Sequence, residues 1–167
     1  IKFDILGLST LKMIEGAITQ ILRRKEGIEN PTFEDIKKFY DEHLHPEKID
    51  LSDQKVYKNI FWKGKWAGIF QFAEKGAQKF CKRAKPKNII DIASITSIYR
   101  PGPLSANVHE TFRAAKENPR GIRYGHDIVK EYTKETYGFL IFQEQIALLA
   151  HKLGKNFSLD EGNKLRK

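Results

Sequence analysis

Apolar residues recur every three or four positions along most of the chain, which is the spacing of amphipathic helices. Residues 9–25 show this spacing and end in three consecutive basic residues, which suit the C-terminal end of a helix dipole. Thr32, followed by Asp35 three residues later, resembles a capping box at the start of a second helix. The same reasoning predicts further helices over residues 52–62, 69–84, 88–99, 105–116, 126–134 and 142–153, with a loop over residues 118–125. Asn88 and Asp91 form a cap pattern at the start of the helix over 88–99, and a Ser158 capping box opens a last helix. The pattern predicts a mainly α, multi-helical fold.

Two segments depart from the helical pattern. Residues 1–8, with the sequence IKFDILGL, are β-branched and aromatic at their start, and they predict a short strand that runs into a turn at Gly7. Residues 100–104, with the sequence RPGPL, are expected to break the preceding helix, because Pro101 disfavours a helical conformation at Arg100. A glycine between two prolines then predicts a stiff loop.

Composition narrows the class of protein. The chain has 167 residues, 30 of them Lys or Arg and 21 Asp or Glu, and its formal charge is +9. Hydrophobic residues make up 40% of the chain, which is enough for a folded core. Cys81 is the only cysteine, so no disulfide can form within the chain, and no Cys or His spacing predicts a zinc site. No apolar run reaches the roughly 18 residues of a membrane span, so we expect a cytoplasmic protein.

Arg100 is the first candidate for chemistry. A guanidinium beside a Pro-Gly-Pro corner has little conformational freedom to lose, and its planar fork suits bidentate contact with a phosphate. The alternative is that the segment only ends a helix and that the arginine is solvated, since turns of this type are common.

A second candidate cluster begins at Tyr137 and Gly138 and continues at Phe142, Gln143 and Gln145. Aromatic rings and amides side by side can stack on a nucleobase and bond to its edge. The alternative is that the rings belong to the core and that the amides form a solvated helix face.

The remaining charges are less specific. Asp4 is a single carboxylate, which makes no two-metal site by itself and could equally cap a strand end. Basic residues are dense over residues 79–87 and 152–167, where they could attract a polyanion or could simply be solvated.

Five stretches occur in an order that carries a resemblance across nearly the whole chain: KFDILGL at 2–8, GIFQF at 68–72, IYRPGPL at 98–104, ETYGFLIFQEQ at 135–145 and NKLRK at 163–167. Together they resemble the α subunit of bacterial replicative DNA polymerase III, the C family of DNA polymerases. The resemblance implies a fragment that holds the end of the palm domain over residues 1–25, as strand, turn and helix. It implies that residues 26–167 form a multi-helical fingers domain that is truncated at its C-terminus.

The resemblance also implies roles for individual residues. Asp4 corresponds to one of three palm carboxylates that hold two Mg²⁺ ions, and the other two lie outside this chain. Lys2 lies beside it, near the primer end. Arg100 and Gly102 belong to the loop where the family's arginine contacts the triphosphate of the incoming nucleotide.

The second cluster corresponds to the region where the family lines the nucleotide and template pocket, which implies binding roles for Tyr137, Phe142, Gln143 and Gln145. The family usually has tyrosine where this chain has Phe142. The phenylalanine keeps a ring for stacking and loses the hydroxyl and any hydrogen bond that the hydroxyl makes.

The implied activity is nucleotidyl transfer by a two-metal mechanism, with Mg²⁺ as the cofactor. The implied partners are primer–template DNA, dNTP, the palm and thumb of the same polymerase, and replisome subunits such as the sliding clamp, in a bacterial or phage-infected cell and away from membranes. Arg166 and Lys167 are what the chain retains of a basic, DNA-binding run. Because two metal ligands are missing, we expect the isolated chain to be inactive.

Two other hypotheses for the function of the chain remain open at this point. A non-catalytic, basic helical module that binds nucleic acid would explain the charge and the aromatic residues, with Asp4 incidental. A helical protein-interaction domain would need the charge only for solubility.

Overall fold

The computed structural model describes residues 8–155 and 157–165, and within these ranges the secondary structure is helical, with no strand. This confirms the predicted mainly α fold; the strand predicted over residues 1–8 and the turn at Gly7 fall almost wholly outside the described residues. The helices are α1 (Ser9–Lys25), α2 (Phe33–His43), α3 (Gln54–Val56), α4 (Lys75–Ala84), α5 (Ile89–Ile98), α6 (Pro101–Ser105), α7 (Val108–Glu117), α8 (Asp127–Thr133), α9 (Gln143–Leu153) and α10 (Leu159–Leu165).

The chain divides into two compact units. The first contains residues 1–53 and 67–70, and the second contains residues 54–66 and 71–167. Among the described residues no helix is both long and apolar enough to cross a membrane.

The first unit is built from α1 and α2, which pack against each other. The predicted capping box is confirmed: the Thr32 hydroxyl accepts a bond from the Asp35 N–H, and the Asp35 carboxylate accepts one from the Thr32 N–H at 2.8 Å. Apolar residues of both helices, including Ile14, Ile18 and Ile36, line a groove of about 420 Å³ between them.

In the second unit, the helix predicted over residues 52–62 is only partly α-helical. After α3 the chain forms a π-helical turn over Tyr57–Phe61, in which the N–H of Trp62 donates to the carbonyl of Tyr57 and that of Lys65 to the carbonyl of Ile60, each at 3.0 Å. A π turn is rare and needs compensation from packing. The rings of Tyr57 and Phe61 supply it, since both are buried and they stack 6.2 Å apart.

The helix predicted over residues 69–84 begins only at Lys75, so this prediction was wrong for its first turn and a half. Gln71 has a left-handed backbone with φ of 63°, which a helix cannot contain. The next residue, Phe72, is buried with its ring centre 5.2 Å from that of Trp66 and 6.0 Å from that of Phe61. Aromatic packing therefore overrides the helical spacing here.

Helix α5 confirms the prediction for residues 88–99. The Asn88 side chain accepts a bond from the Asp91 N–H at 2.8 Å, and the helix ends at Ile98 before the proline. The prediction of a loop over residues 100–104 was wrong, because Pro101–Ser105 form the short helix α6. Proline suits a first helical position, where its fixed φ is already helical and its missing N–H has no partner to lose.

The remaining helices begin close to the predicted places, with one exception. Asn107 has a left-handed backbone with φ of 56°, so the helix predicted from residue 105 starts as α7 only at Val108. The segment predicted as a loop over residues 118–125 contains a 3₁₀ turn, Pro119–Gly121. The predicted Ser158 capping box is present and opens α10.

The core of the second unit lies where α4, α5 and α7 pack together. Its least exposed apolar side chains are Phe80, Cys81, Ile95, Ile98 and Phe112. Their burial between the three helices helps to hold these helices together.

The thiol of Cys81 is expected to be unreactive while this core is folded. The residue is fully buried, and burial, with a smaller contribution from the charge of Asp91, raises the pKa of the thiol to about 12. Because the thiolate is the reactive form, almost none is present at pH 8. We expect Ellman's reagent to modify Cys81 only after denaturation; rapid modification of the folded chain would contradict this burial.

Candidate functional site

Arg100 stands between two helices. Its extended backbone, with φ of −132° and ψ of 154°, connects α5 to α6, and its carbonyl accepts the N–H of Leu104 at 3.0 Å. The side chain is exposed, and it makes no hydrogen bond or ion pair with any other residue that the structure describes. The arginine is therefore held at its backbone while its guanidinium is available to a ligand.

A pocket of about 340 Å³ adjoins Arg100. Its ring of lining residues contains one cation, Arg100, and one anion, Glu74, beside the hydroxyl of Thr96 and the ring of Tyr99. The full lining comprises Gln71, Phe72, Ala73, Glu74, Ala77, Ile95, Thr96, Tyr99 and Arg100. The pocket thus places a free guanidinium beside aromatic and hydroxyl groups, with one carboxylate, Glu74, in the same lining.

The wall of this pocket depends on Gly76 in α4. A Cβ atom at Gly76 would lie 1.6 Å from the hydroxyl oxygen of Tyr99, so only glycine lets that hydroxyl approach the helix. The Tyr99 ring also stacks on Phe80 at 6.3 Å. Tyr99 is therefore fixed directly before Arg100. Gly102, two residues after Arg100, has space for a side chain, because no atom outside its neighbouring residues and its own helix backbone lies within 4 Å of where a Cβ would be.

Tyr137 of the second predicted cluster is half-buried and has a left-handed backbone with φ of 55°. Its hydroxyl donates to a carboxylate oxygen of Asp91 at 2.9 Å, and its ring lies edge-on to Phe112 at 5.5 Å. Burial, and then the negative charge of Asp91, raise the pKa of this hydroxyl far above its usual value. The group is therefore a permanent hydrogen-bond donor to Asp91.

Asp91 and Lys116 form a buried ion pair beneath Tyr137. The ammonium of Lys116 lies 3.0 Å from the Asp91 carboxylate, and their side chains are 4% and 0% exposed. The same carboxylate accepts the N–H of Lys87 at 2.8 Å, and Lys116 also donates to the carbonyl of Lys85 at 3.1 Å. The pair therefore links α5, α7, the segment before α5 and the turn that carries Tyr137.

Gln145 lies in the first turn of α9 and is buried. Its amide oxygen accepts the N–H groups of Ile141 and Phe142 at 2.8 and 2.9 Å, and its amide nitrogen donates to Tyr132 and Thr136 at 2.9 and 2.8 Å. These four bonds use all of its donors and its usual acceptor capacity. A nucleotide contact through this side chain would need one of them to break.

The other two residues of the cluster are differently placed. Phe142, directly before α9, is half-buried, and Gln143, the first residue of α9, is exposed. Phe142 is held at the start of this helix by its own N–H, which donates to the side chain of Gln145 at 2.9 Å.

Tyr137 and Arg100 are associated with opposite ends of α5. Tyr137 bonds to Asp91 in the first turn, whereas Arg100 follows the last turn, about 14 Å farther along the axis. None of Tyr137, Phe142, Gln143 and Gln145 lines the pocket beside Arg100. Lys2, Asp4, Arg166 and Lys167 lie outside the described residues.

Sequence reasoning missed the ion pair. Asp91 was expected only as part of a helix cap, and Lys116 only as a polar residue at the end of a helix. The one signal for Lys116 is its spacing of four residues from the buried Phe112, which places both on one face of α7. The polar groups that converge on Asp91 come from three separate parts of the sequence, and no local pattern connects them.

No group of three His, Cys, Asp or Glu side chains within residues 8–155 and 157–165 is arranged to hold a metal ion. Asp4, the one ligand that the resemblance implies, lies outside these ranges. The described residues therefore do not by themselves form a Mg²⁺ site.

Comparison with protein families gives one match that covers nearly all of the chain. The model of the bacterial DNA polymerase III alpha subunit finger domain matches residues 10–167. The chain belongs to this family.

Curated relatives agree with this assignment. The chain is 35% identical over 167 residues to the DNA polymerase III subunit alpha of Campylobacter jejuni, and 34% identical over 167 residues to that of Staphylococcus aureus. It is 33% identical over 168 residues to that of Treponema pallidum. Each match covers 100% of this chain and only 12%, 14% and 13% of the respective relative, so the chain spans about an eighth of their length.

Proposed function

We propose that this chain forms the fingers region and the edge of the palm of a replicative DNA polymerase, a nucleotidyltransferase that extends a primer on template DNA. Three findings support the proposal: the family match, the formal charge of +9 and the free guanidinium of Arg100 at the pocket that α4, the segment before it and the end of α5 line. Arg100 carries the argument, because it is the group best placed to bind the triphosphate of an incoming dNTP.

The geometry around Arg100 favours phosphate over a neutral ligand. A guanidinium offers a fork of donors that matches phosphate oxygens, and it gains most when no protein carboxylate already occupies it. In the described structure the guanidinium has no such carboxylate, and Tyr99 and Pro101 fix the backbone on both sides. Little backbone entropy is then lost when the phosphate binds, and the ordering cost is confined to the arginine side chain.

The remaining parts of the proposal come from the family relationship. Asp4 would supply one carboxylate to a two-metal Mg²⁺ site, with the other ligands on the rest of the polymerase chain. The palm and thumb, primer–template DNA and the sliding clamp would be partners of the whole subunit. The domain boundary at residue 25 remains a prediction, as do the binding roles of Lys2, Gly102, Tyr137, Phe142, Gln143, Gln145, Arg166 and Lys167 and the cytoplasmic location.

Replacement of Arg100 by alanine in the whole polymerase is expected to raise the apparent KM for dNTP by about tenfold to a hundredfold. This is the loss of affinity expected when hydrogen bonds to a charged group are removed. Steady-state primer extension measures this, with the dissociation constant of primer–template determined separately. The KM for dNTP of Arg100→Lys is expected to lie between those of wild type and Arg100→Ala, because lysine keeps the positive charge but lacks the forked pair of donors.

Lys65→Ala is a matched control, since Lys65 is an exposed cation of the same unit that lies outside the pocket. Its KM for dNTP is expected to stay at the wild-type value. An unchanged KM in Arg100→Ala, or a loss confined to primer–template binding, would contradict the assignment of Arg100 to the triphosphate.

A further inference from the structure

A second cationic surface lies on the segment between α7 and α8. Two neighbouring pockets, of about 390 and 510 Å³, share Arg123 as a lining residue. One of them is also lined by Tyr137, Gly138 and Phe139, which connects this surface to the second predicted cluster. We define the Arg123 surface as Arg120, Arg123, Tyr124, His126 and Lys130.

Close packing holds the segment in place. Gly138 has a left-handed backbone with φ of +87°, and a Cβ there would lie 3.1 Å from a methyl carbon of Ile122 and 3.8 Å from the ring of Tyr124. At the other end, the N–H of Gly121 donates to the carbonyl of Asn118 at 3.1 Å and closes the 3₁₀ turn. Packing at Gly138 and the 3₁₀ turn therefore fix the backbone of the segment that carries these cations.

The basic side chains of this surface are free to bind an anionic ligand. Arg120, Arg123 and Lys130 are exposed, and within the described part of the chain their side chains form no ion pair or hydrogen bond. The contrast with α7 is direct, because there Arg113 contacts both Glu110 and Glu117. The one acid that lines either pocket, Asp127, lies in the first turn of α8, where the helix dipole already favours a negative charge.

Tyr124 adds an aromatic ring to the cations. The side chain is partly exposed and lines the same pocket as Arg123, His126 and Lys130. His126 is occupied on one side, because its Nδ1 accepts the N–H of Ile128 at 3.1 Å. A partly exposed ring among unpaired cations is the combination that binds single-stranded nucleic acid, since the cations contact phosphates and the ring stacks on a base.

We propose that the Arg123 surface binds the single-stranded part of the template, as an electrostatic and stacking site separate from the pocket at Arg100. This inference rests on the proposed function, because the strand it binds is the template of that polymerase. Arg120, Arg123 and Lys130 contact the phosphates, and Tyr124 stacks on an unpaired base. Duplex DNA, whose bases are already stacked, gains nothing from Tyr124.

The test uses the whole polymerase subunit that carries this chain. Fluorescence anisotropy measures its binding to two labelled primer–templates, one with a single-stranded template overhang of about ten nucleotides and one with blunt ends, over a range of KCl concentrations. For the overhang substrate, Arg120→Ala/Arg123→Ala is expected to weaken binding about tenfold or more. The slope of log affinity against log salt is expected to become shallower by about 1.4, or about 0.7 for each arginine.

Tyr124→Ala separates stacking from charge. It is expected to weaken overhang binding by about tenfold with an unchanged salt slope, whereas Tyr124→Phe keeps wild-type affinity because the ring remains. All five residues of the test variants and the control (Arg120, Arg123, Tyr124, Lys63 and Lys65) are at least partly exposed, so truncation leaves the core intact.

Lys63→Ala/Lys65→Ala is the matched control, because it removes the same charge from exposed positions of the same unit. Its salt slope on the overhang is expected to equal that of wild type. An equal slope in the Arg120/Arg123 variant and this control would overturn the proposal, as would equal weakening on the blunt duplex.

Two different measurements separate a failure of this proposal from a failure of the proposed polymerase function: the salt slope of DNA binding and the KM for dNTP. At saturating DNA the Arg123 surface variants are expected to keep the wild-type KM for dNTP, because they lie outside the pocket at Arg100. Arg100→Ala is expected to change that KM and leave the salt slope unchanged. A changed KM in the Arg123 surface variants would overturn the separation of the two sites.

Discussion

Replacement of Asp91 by alanine is expected to lower the free energy of unfolding of the second unit by about 3 to 5 kcal/mol. The variant leaves the ammonium of Lys116, which is almost fully buried, without its carboxylate. It also removes the acceptor from the N–H of Lys87 and from the hydroxyl of Tyr137. An unpaired buried charge costs far more than the net value of the ion pair that it came from.

Urea unfolding followed by tryptophan fluorescence measures the effect, because both tryptophans of the chain, Trp62 and Trp66, lie in this unit. The double variant Asp91→Asn/Lys116→Met is the control, since it removes both charges and keeps an oxygen to accept hydrogen bonds. It is expected to recover a large part of the unfolding free energy that Asp91→Ala loses.

Tyr137→Phe is expected to lower the free energy of unfolding by only about 1 kcal/mol, because it removes one hydrogen bond. Stability of Asp91→Ala equal to that of Tyr137→Phe would contradict the buried pair.

Replacement of Gly162 by alanine is expected to separate α10 from α9. A Cβ at Gly162 would lie 2.6 Å from the carbonyl oxygen of Ala147 and 3.2 Å from its carbonyl carbon and Cα. These are backbone atoms of α9, so the overlap is relieved only if one helix moves. Overpacking of this kind typically costs about 1 to 3 kcal/mol, which at least offsets the roughly 1 kcal/mol that alanine gains over glycine in a helix.

Hydrogen exchange is the appropriate measurement, because the effect is local. The amides of α10 are expected to exchange faster in Gly162→Ala, while those of α5 keep their protection. Gly16→Ala is the matched control: Gly16 also lies inside a helix, and a Cβ there meets no atom within 4 Å. That variant is expected to be at least as stable as wild type. Unchanged exchange in α10 would contradict the close contact of the two helices.

Features decided within a few residues could be predicted from the sequence. The caps at Thr32, Asn88 and Ser158 each depend on a side chain that bonds to a backbone N–H three residues later, and all three are confirmed. Arg100 could be singled out in the same way, because a proline and its neighbours fix the local backbone. What the sequence could not supply was the pocket beside it, which needs α4 to approach α5.

Features decided by distant residues could not be predicted. The wrong helix start at residue 69 has the correct spacing of apolar residues, but Phe72 packs with Phe61 and Trp66 instead. The Tyr137 hydroxyl meets Asp91 across 46 residues of sequence. Sequence reasoning assigned Gln145 a ligand role from its residue type, whereas the structure shows its amide bonded to four neighbouring groups of the chain.

The π turn at Tyr57–Phe61 makes the number of residues in this segment as important as their identity. Its hydrogen bonds span five residues instead of four, as in the bond from Trp62 to Tyr57. Deletion of one residue would restore ordinary α-helical bonding but would rotate everything after it by about 100° around the axis. Phe61 would then turn away from Tyr57, the ring on which it stacks at 6.2 Å. We therefore expect this segment to tolerate chemically conservative substitutions better than insertions or deletions.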